Sequence, residues 1–564
     1  MLYAFVPCGL LLGVTNHITT DIAPFPLLWV IPLILYLLTF VLVFARRPLL
    51  RRDTMLRTQT YLALPPLLLY IGKLNVEVWV DFPVHLTVFF VFTMVCHGEL
   101  ARRRPHPEYL TEFYVWLATG GVLGGIFTSL IAPLLFNSIV EYPLLLLLAC
   151  VIRPNAAQPL NSPPGRGKGW VAECDANPAS EPHPYPSQEG NSGPRPGGIE
   201  KKPTCESPAP SQEGKQSRPN IGVLLIVGLL AFLLLPIGLM SGSRVLAVYL
   251  GAISLIVVSG VGGAVAFVWL RTPLRVALAL GGVWLSGSFM MTSQHDVVAR
   301  TRSFFGTVKV VNEADSDYHL FYHGTTLQGA QALNGEKRLV PRTYHHRHGP
   351  LGQVFAMLDD RPARSVAVLG LGVGTVAAYG RPEDSMTFYE IDADVEYVAR
   401  NSAWFTYLSD SSADIEIVLG DARMSLTQAP DKAFDLIIQD AFSSDSIPVH
   451  LVTREAFQVY AAKLTPTGLL VCNVTNRYLD LEPVLAALLA DAGLTGLIRE
   501  DRELLPQDEQ DKRFPSIWVA AARQDAALDE LRQDSRWRPL REKADMPVWT
   551  DDYSNILNVL KSPF

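Results

Sequence analysis

The sequence predicts a polytopic α-helical membrane domain, followed by a doubly wound α/β sheet with a small β unit in front of it. Three observations carry this expectation. Of the 564 residues, 49% are hydrophobic and 18% charged, but the two kinds are segregated: residues 1–152 and 221–292 are strongly apolar, and 293–564 has the balance of a soluble protein. Residues 366–392, VAVLGLGVGTVAAYGRPEDSMTFYEID, read as strand, glycine turn, helix and strand. Strand and helix patterns then alternate to the C-terminus, the signature of a mainly parallel sheet. The chain is too long for one core. Its net charge of −7 offers no basic surface for nucleic acid.

A helix needs about 20 apolar residues to cross a bilayer. Phe25–Ala45, Val78–Cys96, Phe113–Leu135, Ile221–Met240 and Val245–Leu270 meet this, and Leu2–Val14, Thr58–Ile71, Ile139–Ile152 and Val276–Thr292 are shorter or weaker. Eight or nine spans are expected. The apolar run that starts at Leu2 leaves a longer N-terminus open. Arg46, Arg47, Arg51 and Arg52 follow one span and Arg102, Arg103 and Arg104 another, so both clusters fall on one side, the cytoplasmic one. Gly120-Gly121 and Gly124-Gly125 have the spacing of close helix packing. His97-Gly98-Glu99 reads as a solvated interface cluster in preference to a buried ion relay.

Residues 153–220 are rich in Pro, Gly, Ser and charge and bury too little apolar surface to order, so a disordered linker is expected there. From 303 to 350 the pattern becomes strand-like. Thr307–Val311 and Tyr318–Tyr322 read as strands, with Gly324-Thr325-Thr326 as a turn. Six scattered cysteines give neither a disulfide framework nor a zinc motif. His345, His346 and His348 lack a helical i,i+4 pair and a carboxylate partner, so no metal is expected.

The remaining region, 351–564, carries the chemistry. Gly370, Gly372 and Gly374 let the backbone turn sharply and approach a ligand. Glu390 follows Gly370 by 20 residues, the place of a carboxylate that accepts from ribose hydroxyls. Ile415–Leu419 ends at Gly420-Asp421-Ala422, and Phe434–Gln439 ends at Asp440. Thr453 is an N-cap candidate, Gly468–Val474 a fifth strand and Ile517–Ala521 an edge strand. Ligands in such sheets bind beyond the carboxyl ends of the strands, where Gly370, Glu390, Asp421 and Asp440 all fall.

The segments VLGLGVGT, FYEID, GDA, FDLIIQDAFSSDSIP and WTDDYSN resemble the spermidine synthase family of aminopropyltransferases, within the Rossmann-like S-adenosylmethionine-dependent enzymes. With FYVWLATGGVLGG and EYPL, the chain looks like the membrane-fused spermidine synthase-like proteins. The resemblance implies that Glu390 holds the ribose, that Asp421 and Ala422 hold the adenine, and that Asp440 is the catalytic carboxylate. Tyr344, His345 and Asp445 would line the substrate pocket. The cosubstrate would be decarboxylated S-adenosylmethionine, or S-adenosylmethionine itself, with a polyamine or other amine as acceptor. Family members also associate through the β unit. Such compounds are made in the cytoplasm, which puts the C-terminal half there.

Three positions depart from the family. Val373 stands where the glycine loop usually carries an Asp, His346 where a Glu follows Tyr-His, and Ser443 where a second Asp precedes Pro. Methyl transfer from S-adenosylmethionine needs the same adenosine contacts and is the alternative. A transporter or sensor whose sheet only binds a nucleoside is the third reading.

Overall fold

A computed structural model describes residues 1–19, 30–45, 50–72, 78–154, 273–292, 296–313, 317–442, 447–476, 479–503, 508 and 510–561. The expected spans Ile221–Met240 and Val245–Leu270, the linker from 155 onward, Arg46, Arg47 and Asp445 lie outside the described residues.

The described residues up to 154 include helices Leu2–His17, Val30–Phe44, Arg52–Leu62, Leu64–Gly72, Val78–Arg102, Leu110–Ile126 and Glu141–Val151. Leu110–Ile126 continues through a π turn, Phe127–Ile131, into Ala132–Leu135. Among the described residues, two stretches are long and apolar enough to cross a membrane: Asp81–Arg102 and Pro107–Leu135. Four shorter apolar helices, Leu2–His17, Val30–Phe44, Glu141–Val151 and Val276–Leu285, fall on other expected spans. The expected span Thr58–Ile71 is two helices that break at Ala63, beside Pro65-Pro66.

Around its apolar core the bundle also buries several polar groups, and it leaves many apolar side chains exposed. His85, His97, Thr93 and Gln59 are wholly buried, whereas Leu134 is 86% and Val41 67% exposed. Glu99 is buried beneath Arg52 (3.0 Å) and Arg102 (3.2 Å), which corrects the solvated reading of that cluster. Gly120 and Gly124 press on the backbone of Met1 and Phe5, where a Cβ would collide.

The helices alternate in direction, and this fixes two ends. At one, the Tyr3 hydroxyl donates to the Ile152 carbonyl (2.8 Å) and Arg103 lies 4.8 Å over the Tyr3 ring. At the other, the His17 ring stacks on Tyr142 (5.5 Å) and meets His85 edge-on (4.5 Å). A helix of this length separates them by about 20 Å. The arginines around Glu99 mark the first end. The C-terminal half joins at the second, where Arg302 donates to both oxygens of Glu141 (2.7 and 3.0 Å) and to the Ser138 carbonyl (2.9 Å). The expectation puts the arginine clusters and the C-terminal half on one side of a membrane; among the described residues, Arg52, Arg102 and Arg103 gather around Glu99 at the first end, and Arg302 meets Glu141 at the second.

The β unit is a four-stranded antiparallel sheet: β1 (Asp296–Ser303), β2 (Gly306–Glu313), β3 (Tyr318–His323) and β4 (Thr326–Ala332). It begins before residue 303, since β1 pairs along the whole of β2. The larger sheet holds β5 (Ser365–Leu369), β6 (Ser385–Glu390), β7 (Asp414–Leu419), β8 (Phe434–Gln439), β9 (Leu464–Asn473), β10 (Thr495–Asp501), β11 (Ser516–Ala522) and β12 (Trp537–Pro539). Their order is β12-β10-β11-β9-β8-β5-β6-β7. β5 to β9 are parallel, and β11 enters antiparallel between β9 and β10. The Ile517–Ala521 segment is therefore interior, not an edge; its run Trp518–Ala522 is almost wholly buried.

Side chains of β5 alternate. Val366 and Val368 join the core under helices Pro350–Met357 and Ala393–Arg400, and Ala367 and Leu369 the core under Arg454–Lys463 and Glu482–Asp491. At the amino ends of β5 and β6, Arg364 and Asp384 form a buried pair (2.5 Å), with Arg381 also on Asp384. Burial alone would raise the Asp384 carboxyl, but the two arginines outweigh it and hold the pKa at about 2.

Candidate active site

Strand order reverses at β5, which pairs with β6 on one side and β8 on the other. A crevice must open at the carboxyl ends of β5 and β8. Gly370 leaves β5 there with φ +101°, and a Cβ on it would come within 2.6 Å of the Asp440 carbonyl. Glycine is required twice over, by dihedral and by space. Gly372 (φ +54°) continues the turn into the crevice. Gly374 (φ +78°) abuts Leu408 and does not line the cavity. The helix expected after the turn is a single 3₁₀ segment, Thr375–Tyr379, ended by Gly380-Arg381-Pro382.

Glu390 closes β6 beneath this turn. Its two oxygens accept the backbone N–H groups of Leu371 and Asp392, each at 2.9 Å. Burial pushes its pKa up, the two N–H donors pull it back, and the Asp392 charge adds to the rise. Glu390 thus ties β6 to the glycine turn and lines the crevice there. Asp392 caps helix Ala393–Arg400 through the Asp394 N–H and accepts from the Ser303 hydroxyl (2.6 Å) of β1.

Asp421 does two jobs after β7. It caps helix Ala422–Gln428 through the Met424 N–H (2.9 Å), and its other oxygen lies 2.9 Å from His450 Nε2. Ala422 lies beside it on the wall. After β8, Asp440 lies 2.7 Å from His345 Nε2, and its other oxygen accepts from the Asn473 amide (2.7 Å) at the end of β9. His345 is set by Thr343, whose φ of +56° and N–H bond to the Lys512 carbonyl (2.7 Å) kink the chain. The Tyr379 hydroxyl donates to the His345 carbonyl (2.5 Å), and the Tyr344 hydroxyl to Gln328 of β4 (3.1 Å).

These groups surround one cavity of about 260 Å³. It brings together Gly370, Gly372, Glu390, Asp421, Ala422, Asp440, Tyr344 and His345 of the residues singled out from sequence. Sequence reasoning misses five contributors: Asn473, Asp392, His450 and, from the β unit, Phe305 and His323. Asp392 stood in the open within FYEID; the others carry no local signal. Val373 packs into the space left by Gly329 of β4, so an apolar contact seals the β unit over the glycine turn.

No protein-family model matches the chain. The chain is 33% identical over 133 residues to a polyamine aminopropyltransferase of Vibrio vulnificus, covering 22% of this chain and 43% of that protein. It is 32% identical over 122 residues to a probable polyamine aminopropyl transferase of Bifidobacterium longum, covering 21% and 25%. The chain thus spans less than half the length of either curated relative. Among solved structures it is similar to a probable spermidine synthase from Corynebacterium glutamicum at 18% identity, with TM-score 0.35 and 45% and 97% of the two chains covered. Spermidine synthase from Thermotoga maritima follows at 14% and 0.30, with 44% and 81% covered.

Proposed function

We propose that residues 351–564, with the β unit of 303–350, form a spermidine synthase-like aminopropyltransferase. It would move an aminopropyl group from decarboxylated S-adenosylmethionine to a polyamine acceptor. One observation carries the reading: Asp440, paired with His345 and Asn473, shares a cavity with the glycine turn and Glu390. A nucleoside held by Glu390 at the ribose and by Asp421 and Ala422 at the adenine would present its sulfonium toward Asp440. The acceptor amine attacks the carbon next to sulfur. The C–N bond forms as the C–S bond breaks, and methylthioadenosine leaves. The new ammonium loses its proton to the Asp440–His345 pair. Alignment of amine and carbon supplies much of the remaining acceleration. Tyr344 offers an aromatic face to a cationic acceptor.

Val373 favours a second reading. An acid at that position would bind the amino end of the aminopropyl group, and a buried valine cannot. Methyl transfer from S-adenosylmethionine keeps every adenosine contact. Calorimetry on the full chain in detergent, with S-adenosylmethionine, its decarboxylated form and methylthioadenosine, separates the two. Preference for the decarboxylated donor together with release of methylthioadenosine in the presence of a diamine supports aminopropyl transfer. Preference for S-adenosylmethionine rejects it in favour of the methyl route. Nucleoside binding without turnover on any amine leaves the sensor reading.

The membrane assignment belongs to the same proposal. Apolar side chains on the outside of the bundle and buried histidines inside suit a lipid surround. Two expectations pull apart here: the positive-inside rule puts the arginine end in the cytoplasm, and a donor made there puts the cavity in the cytoplasm too, although Glu141 and Arg302 join the C-terminal half to the other end of the bundle. Reporters inserted between Arg104 and Pro105 and fused after Phe564 decide between them: activity of both in the cytoplasm supports aminopropyl transfer, and a Phe564 fusion that reports the opposite side rejects it.

A further inference from the structure

The end of the bundle that receives the soluble half also gathers a set of side chains with no part in the cavity chemistry. Asp81 and His85 stand at i and i+4 on helix Val78–Arg102, hence on one face. His17 arrives from the last turn of Leu2–His17. One donor atom from each of the three lies within 4.8 Å of the other two. Among the described residues this is the one such group of three. His85 is wholly buried and His17 nearly so, and 22% of the Asp81 side chain is exposed. His85 Nε2 and Asp81 Oδ1 are 3.2 Å apart. Two donors bound to one tetrahedral ion at about 2.1 Å are about 3.4 Å apart, so this pair already has ligand spacing.

The surroundings match the chemistry of a bound cation. Two imidazoles and a carboxylate are borderline donors, which suit zinc-like divalent ions over calcium or magnesium. His85 directs Nδ1 to the Tyr142 hydroxyl at 2.8 Å. That contact leaves Nε2 facing Asp81, and it is the outer partner that metal-binding histidines use to fix ring orientation. The His17 ring lies flat on Tyr142, with 16° between the planes. A carboxylate among apolar helices is costly unless a cation offsets it.

We propose that His17, Asp81 and His85 bind one divalent transition-metal ion of the zinc class. His85 ligates through Nε2, and Tyr142 orients it. The ion ties helix Leu2–His17 to Val78–Arg102. Tyr142 adds Glu141–Val151, whose neighbouring Glu141 holds Arg302. The site is structural and does not depend on the reaction proposed for the cavity. Among the described residues the site has three protein donors, and it is reached from the side where Asp81 is partly exposed. Sequence spacing could not expose it, because His17 and the Asp81–His85 pair belong to separate helices.

The test uses the full chain in detergent, stripped with a chelator and titrated with Co²⁺ and Zn²⁺. One equivalent of Co²⁺ with a visible spectrum of nitrogen and oxygen coordination is expected, displaced by one equivalent of Zn²⁺. His17→Ala, Asp81→Asn and His85→Ala should each lose that equivalent. Tyr142→Phe should keep the stoichiometry and weaken affinity by about 10–100-fold, as for an outer-shell partner. The double variant His346→Ala/His348→Ala removes a partly exposed histidine pair elsewhere and should bind as the parent does. Loss of binding in that double variant would assign the metal to adventitious surface histidines and overturn the proposal. So would the absence of a stoichiometric Co²⁺ spectrum in the parent protein, a result that needs no folded variant.

Discussion

The two halves of this molecule assemble polar groups in opposite ways. In the α/β half, the cavity residues recognised from sequence on the larger sheet stand at or just beyond the end of a strand. Gly370, Glu390, Asp421 and Asp440 follow β5, end β6 and follow β7 and β8 in turn. A parallel sheet lines up its strand ends, so one rim collects residues that are recognisable one strand at a time. In the helical half, His17 meets Asp81 and His85, and Glu141 meets Arg302, through packing of distant helices. No short stretch of sequence announces either meeting. The lesson is physical: where topology aligns element ends, local sequence reveals a site, and where side chains meet along helix faces, only the packed structure does.

The sharpest way to break that contrast is at Asp440. Asp440→Asn keeps the shape and the Asn473 contact but removes the proton acceptor. Turnover is expected to fall by roughly 10²–10⁴, as for loss of a general base, with nucleoside affinity nearly kept. Normal turnover measured with a saturating donor would remove Asp440 from the mechanism, and with it the best-supported strand-end role.

A matched pair of substitutions compares the two halves directly. Asp384→Ala strands buried Arg364, and Glu141→Ala strands buried Arg302. Breaking a buried pair from one side costs about 3–5 kcal/mol. Asp384→Ala should lower the thermal midpoint of the soluble half. It should also flatten the acid limb of its stability curve. The sign follows from the lowered pKa: the pair stabilises above the ordinary aspartate value of 3.8 and loses that contribution as pH falls toward about 2. Glu141→Ala should instead loosen the joint between the halves, seen as faster proteolysis near residues 293–303. Cleavage there at the parental rate would deny the Arg302 contact its role as the joint.

How much of this was legible beforehand follows the same division. β8 was expected at Phe434–Gln439 and is found there, β7 was expected one residue short, and the Thr453 N-cap accepts from the Ala456 N–H as expected. These are local patterns of apolar residues and capping oxygens. The placement of β11 was misread because an antiparallel insertion between β9 and β10 leaves no mark on the strand itself. Late position suggested an edge; only pairing with Leu469–Asn473 and Thr495–Asp501 decides it. His450 has no local signal because its contact with Asp421 is set by a loop path, and Asn473 is an exception on the rim itself: it ends β9, but an amide inside an apolar strand does not announce a contact with Asp440. Glu99 was misplaced for a related reason, since Arg52 reaches it from another helix.

Glu390 gives a smaller effect. Glu390→Ala should weaken nucleoside binding by about 1.5–3 kcal/mol, the range for a hydrogen bond to a charged group. Ribose hydroxyls donate to the ionised carboxylate, so acid should weaken binding as Glu390 takes up a proton. Burial raises its pKa, so this loss should begin above the ordinary glutamate value of 4.5. Titration calorimetry of parent and Glu390→Gln across that range is the check. A loss of affinity that is identical in both proteins would assign the pH dependence to another group.

The smallest expected effect is the most discriminating, because Asp421 already has a structural occupation. Its carboxylate caps helix Ala422–Gln428 through the Met424 N–H, which by itself explains an aspartate after β7. Serine caps about as well as aspartate, but it is shorter and uncharged. Asp421→Ser should therefore leave the thermal midpoint nearly unchanged, within about 0.5 kcal/mol of stability. If the oxygen that faces His450 also accepts from the adenine amino group, Asp421→Ser should cost about 0.5–1.5 kcal/mol of nucleoside affinity, the value of an ordinary hydrogen bond. The loss should be specific to the base: adenosine compounds weaken, and a free ribose phosphate does not. Equal affinity for adenosine compounds in parent and variant would leave Asp421 as a helix cap alone. The rim of strand ends would then hold three binding groups instead of four, and sequence position would have overstated the site.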